Sequence, residues 1–175
     1  MGDFILAFTN SPGFGVVLGA LISIITTLIA NKYTLKAKRV EKQLEVTYEV
    51  KLTQLNTLVD LQTAIQNLGR ANVECCQSML HDNLHAENGN RLIDPKIDEN
   101  RRRLSVEVIL LNSRVNSSEI RDLVNEAKSF DLWTNDSSEI VSFMHERTEK
   151  IGIAMDAIGE EIRNTQQSLI ETSGK

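Results

Sequence analysis

The chain has 175 residues, 41% of them hydrophobic and 25% charged, with a formal net charge of −5 at pH 7. Two prolines and nine glycines exclude a collagen-like or low-complexity chain, and an aromatic content of 5% argues against a sandwich or barrel. Two adjacent cysteines, Cys75 and Cys76, exclude a disulfide-stapled mini-protein, and the acidic balance predicts no nucleic-acid partner.

Residues 4–31 carry no charge. Of these, 12–31 form a 20-residue run which, at ~1.5 Å per residue, reaches the ~30 Å of a bilayer's hydrocarbon. Ser11 before Pro12 is a helix-start signal. No basic region precedes the run, and Leu28 and Ala30 do not form a cleavage site, so the pattern predicts an anchor rather than a signal peptide. Lys32, Lys36, Lys38, Arg39 and Lys42 follow it, with Tyr33 where an interfacial aromatic belongs. The positive-inside rule then predicts a single-pass protein of the inner (plasma) membrane in contact with its lipids. The short N-terminus, 1–11, lies outside, and the C-terminal domain is cytoplasmic. Gly15, Gly19, Ser23 and Thr27 recur every fourth residue, a packing face that favours self-association of the membrane helix.

A basic juxtamembrane stalk over 32–43 is expected to lead into a cytoplasmic helical bundle over 44–172. No glycine or proline interrupts the chain between Ala20 and Leu68, so the first helix continues without a break. Leu44, Tyr48, Leu52, Leu55 and Val59 form one apolar stripe; Leu58, Leu61, Ile65, Leu68, Asn72, Cys75 and Met79 continue at coiled-coil spacing. Turn chemistry marks 85–95. A second helix is predicted from Pro95 to about Val115, with Ile97, Leu104, Val108, Leu111 and Val115 on one face. Asn116 and Glu119 read as a capping pair for a third helix carrying Ile120, Leu123, Val124 and Ala127. After a connector with Trp133 as a lid, Asp136 and Glu139 start a fourth helix to about Glu171. Its heptads run through Ile140, Met144, Arg147, Ile151, Ala154, Ile158, Ile162, Thr165 and Leu169. The fold class is all-α, an antiparallel bundle.

Sites for chemistry are scarce. Neither dinucleotide-binding nor P-loop glycine patterns occur, and no nucleophile elbow is present. His81 and His85 share a helix face, but Cys76 is rotated ~140° away from His81 on one helix, which argues against a metal site. From Glu119 to Lys175 there are 12 carboxylates against 6 basic residues, without the inward Glu-x-x-His pairs of a dimetal bundle. Arg101, Arg102 and Arg103 spread over ~200° of a helix and are expected to be solvated or paired with the acidic last helix. No catalytic residue, cofactor or metal is assigned.

Leu18, Gly19, Ala20 and Leu21, then Ala30, Asn31 and Lys32, then Lys36, Arg39 and the segment 48–52 (Tyr-Glu-Val-Lys-Leu) carry a resemblance. The chain resembles bacterial single-pass inner-membrane proteins with a short outside N-terminus and a long cytoplasmic helical domain. The resemblance implies a bacterial or phage-encoded membrane protein and carries over no catalytic residue. The function expected is a non-enzymatic, membrane-tethered module that self-associates or docks a protein partner through helical seams. A membrane-active effector that oligomerises through its membrane helix is the alternative, and a metal or hydrolytic enzyme hidden in the bundle is the third reading.

Overall fold

The computed structural model describes residues 12–85, 94–132, 134 and 136–173. They form four helices, α1 (Pro12–His85), α2 (Pro95–Asn112), α3 (Ser118–Lys128) and α4 (Ser137–Ser173), with no strand among the described residues. The chain divides into two compact units, Met1–Thr47 and Tyr48–Lys175, so α1 contributes to both. Each is described by itself.

In the first unit the described residues belong to α1. Leu21, Ile22, Ile24, Ile25, Leu28 and Ile29 are 51% to 63% exposed. Among the described residues no helix is long and apolar enough to cross a membrane. The membrane helix expected at 12–31 is not supported by the described residues.

In the second unit, local chemistry sets the helix ends. Asp94 accepts a hydrogen bond from the Lys96 amide at 2.8 Å, and Pro95 occupies the first turn, where its missing N–H is no loss. α2 stops at Asn112, short of the Val115 expected from the sequence. The Asn112 amide turns toward α3, donating to Arg121 O at 3.1 Å and Asn125 Oδ1 at 3.3 Å. Arg121 Nη1 donates to Val115 O at 2.7 Å, which pins the connection after it leaves the helix. The cap of α3 is Ser117, whose hydroxyl accepts from the Ile120 amide; Asn116, the expected cap, is exposed one residue too early. Asp136 starts α4 as expected, accepting from the Ser138 amide at 2.7 Å, and the helix runs two residues past Glu171. Trp133 and Asn135 lie outside the described residues.

α1 and α4 run antiparallel. Lys51 reaches Ser168, Gln62 faces Gly159, and Gly69 faces Ile151 so closely that a Cβ on Gly69 would sit 3.1 Å from Ile151 Cδ1. The main core joins Leu58, Leu61, Ile65 and Leu68 of α1 to Val108 of α2, Ile120 and Val124 of α3, and Ile151, Ala154 and Ile158 of α4. A smaller cluster holds Cys76, Met79 and Ile140, with Phe130, Phe143 and Met144 against it. The other expected stripe does not enter either core: Leu44, Tyr48, Leu52 and Val59 are 40% to 44% exposed, and Leu55 is half-buried. That stripe lies roughly 120° around α1 from the residues that the other helices cover.

Candidate functional site

Three surfaces concentrate features that packing alone does not use. The first is the exposed apolar helix of the N-terminal unit. At ~100° per residue, its six large aliphatic side chains from Leu21 to Ile29 fall on one arc of roughly 160°. Gly19, Ser23 and Thr27 occupy the opposite side and are exposed, with nothing within 4 Å of a Cβ placed on Gly19. The Thr26 and Thr27 hydroxyls donate to Ile22 O and Ser23 O at 2.7 and 2.8 Å, so their protons need no water. Gly15 belongs to the same helical face. Lys32, Tyr33, Lys36, Lys38, Arg39 and Lys42 are all exposed beyond this segment.

The second is a groove of about 450 Å³ between α1 and α2. Val106 and Leu110 stand exposed at its edge, between Arg103 and Arg114 and opposite Asp60. Glu107 completes a rim that mixes both charge signs around an apolar floor.

The third is a polar cluster where the bundle is farthest from Lys51 along α1. Phe130 and Phe143 meet edge-to-face at 5.2 Å between centroids. Arg101 stacks over Phe130 at 4.5 Å and Arg147 over Phe143 at 4.9 Å, so two guanidiniums enclose two aromatic rings. Arg147 also donates to Glu126 O and Ser129 Oγ, both at 2.7 Å, tying α4 to the end of α3. Asn72 is 3% exposed, and neither atom of its amide has a hydrogen-bond partner; Arg147 Nε is buried and unpartnered too. Left without any partner, a buried amide costs about 1–3 kcal/mol.

Arg101 and Arg102 both bind Asp98 at 2.8 Å, and Arg103 bonds Asn100 Oδ1. Arg102 and Arg103 are exposed, the solvated half of the expectation, while the ion pairs go to Asp98 on α2 rather than to the last helix, because Asp98 lies three and four residues before Arg101 and Arg102 on the same face. The Arg101 hydrogen bond holds the Asp98 carboxyl below its ordinary range, against a smaller opposing effect of burial. Burial pushes the Cys76 thiol up to about 11, helped by the adjacent Cys75, and raises Cys75 against the pull of Arg101. Both cysteines are buried and free, as inert apolar groups rather than nucleophiles. Among the described residues no three potential metal ligands come together.

Of the expected seam residues, Leu58, Leu61, Ile65, Leu68, Ile140, Ile151 and Ile158 are buried, while Leu55, Met144 and Ile162 are half-buried. The cations from Lys32 to Lys42 and the face of Gly19, Ser23 and Thr27 belong to the other unit. Sequence reading placed Asn72 and Arg147 within apolar seams without assigning them a role. Polar residues breaking a heptad were the available signal. Lys51 was missed as well. Its ammonium donates to Ser168 Oγ at 2.6 Å and Thr172 Oγ1 at 3.1 Å, in the last turns of α4. Lys51→Met is expected to lower stability by about 1 kcal/mol and to speed amide exchange selectively at 168–172.

The chain matches no family model, no curated protein and no solved structure.

Proposed function

We propose that this protein is a non-enzymatic helical interaction module held at a membrane by residues 12–31, with the 48–175 unit on the cytoplasmic side. The observation that carries the reading is the exposed aliphatic arc from Leu21 to Ile29. An uncharged arc of large aliphatic side chains that stands exposed needs an apolar environment, and lipid supplies one. The run of 12–31 in the sequence has the length for it. The cations from Lys32 to Lys42 fit the headgroup layer and orient the chain.

Large side chains on one arc and small ones opposite suit a helix that faces lipid on one side and a second helix on the other. The 48–175 unit supplies the docking function through the α1–α2 groove, where Val106 and Leu110 offer apolar contact and the mixed-sign rim sets partner choice. Tethering concentrates the unit at the membrane surface, so weak contacts suffice for assembly. The internally bonded hydroxyls of Thr26 and Thr27 favour a packing helix over the polar lining of a pore, which favours a tether over a membrane-active effector.

Membrane fractionation of the full-length chain tests the tether. The protein is expected in the pellet and to stay there through alkaline carbonate extraction, while Ile25→Lys shifts it to the supernatant. A charge at mid-span costs about 2.5–3.5 kcal/mol of insertion. Full-length protein in the supernatant would end the membrane reading. The mass of the complex in mild detergent tests assembly: a multiple of the 19.6 kDa subunit means self-association and a second polypeptide in fixed ratio means an accessory subunit. A bare monomer overturns the assembly reading.

A further inference from the structure

Between Gly69, Asn72 and Val73 of α1 and Phe143, Arg147 and Ile151 of α4 lies a cavity of about 10 Å³. A single water molecule needs ~10–15 Å³ of such space and two to four polar partners. Asn72 Nδ2 and Oδ1 and Arg147 Nε supply them, two donors and one acceptor, all buried and without a hydrogen bond in the protein. Thr148 also borders the cavity, but its hydroxyl already donates to Met144 O at 2.8 Å.

The position of this cavity gives it a consequence. On α1, Leu68 and Ala71 belong to the main core, and Cys76 and Met79 to the smaller cluster. On α4, Ile151 belongs to the main core, and Ile140 and Met144 to the smaller one. Asn72 and Arg147 therefore form the layer at which the two apolar clusters separate. Apolar cores propagate cooperativity through continuous contact, and a polar, hydrated layer interrupts it.

We propose that the Asn72–Arg147 cavity binds one water molecule, and that this hydrated layer lets the smaller cluster open without the main core. The inference does not depend on the membrane reading. Cys75 and Cys76 are built-in reporters, since both are buried beside this layer and reach a reagent only when that end opens.

The experiment uses the full-length chain without denaturant. Native-state hydrogen exchange should show amides of 73–80 and 138–146 exchanging at least tenfold faster than those of 58–68 and 151–158. Maleimide labelling of the two thiols should follow the faster rate. Asn72→Leu, which removes the water and makes the layer apolar, should slow the labelling at least tenfold. A nuclear Overhauser contact between bound water and the Asn72 side-chain amide should be seen in the natural protein. One common exchange rate over both segments overturns the separate opening, and this readout needs no variant to fold. Labelling unchanged in a folded Asn72→Leu protein removes the layer as its cause, and absence of the water contact overturns the binding site.

Discussion

Replacing Ile158 by alanine is expected to lower the unfolding free energy of the 48–175 unit by about 2–5 kcal/mol. Ile158 is fully buried in the main core, on the turn of α4 that faces Gln62 and beside Gly159. The truncation removes three carbons, worth ~0.8 kcal/mol each in transfer alone, and leaves a void that four packed helices cannot close. Ile153, on the same helix, is half exposed and sets the contrast: Ile153→Ala should stay within about 0.5 kcal/mol. Urea unfolding of the full-length chain followed by circular dichroism measures both. Equal effects at the two positions would contradict the face that α4 turns inward.

Raising the pH from 9 to 11 is expected to remove about 2 kcal/mol of stability through Cys76. Its thiol titrates at about 11 in the folded protein against an ordinary 9.0, because burial disfavours the thiolate. The folded state keeps a proton that the unfolded state has released, so stability is intact below pH 9 and falls as the pH rises toward 11. Cys75 shifts in the same direction and adds to the loss. Other groups titrate in this range, so the comparison is with Cys76→Ala, whose profile should be visibly flatter over the same two pH units. At the acid end Asp98 acts oppositely: its lowered value means stability is lost as pH falls through the folded titration, and Asp98→Asn should blunt that limb.

Four helices and the burial of one stripe of α1 follow from spacing alone. Leu58, Leu61, Ile65 and Leu68 repeat at three and four residues, and that period points one face inward whatever packs on it. The stripe through Leu44, Tyr48, Leu52 and Val59 has the same period yet stays exposed. Period identifies an apolar face and leaves open whether the chain has enough helices to cover it. The start of α4 was legible because Asp136 is the side chain that caps it. The cap of α3 was misplaced by one residue, since Asn116 and Ser117 are both capable caps and the choice falls to the Arg121 clamp on Val115. The guanidinium–phenyl stack was legible only in its α4 half. Phe143 and Arg147 are four apart on α4, but Arg101 and Phe130 come from other parts of the chain, and no local pattern relates positions that meet only after folding.

The contact between Gly69 and Ile151 couples two positions 82 residues apart in sequence. An alanine at 69 asks only that the δ-methyl of Ile151 move by a few tenths of an ångström; a branched residue there requires a valine or alanine opposite. Homologous sequences should therefore trade volume between these two sites, a large residue at one accompanying a small residue at the other. Such compensated drift, read from an alignment, would report the α1–α4 register across the lineage without a structure of any other member.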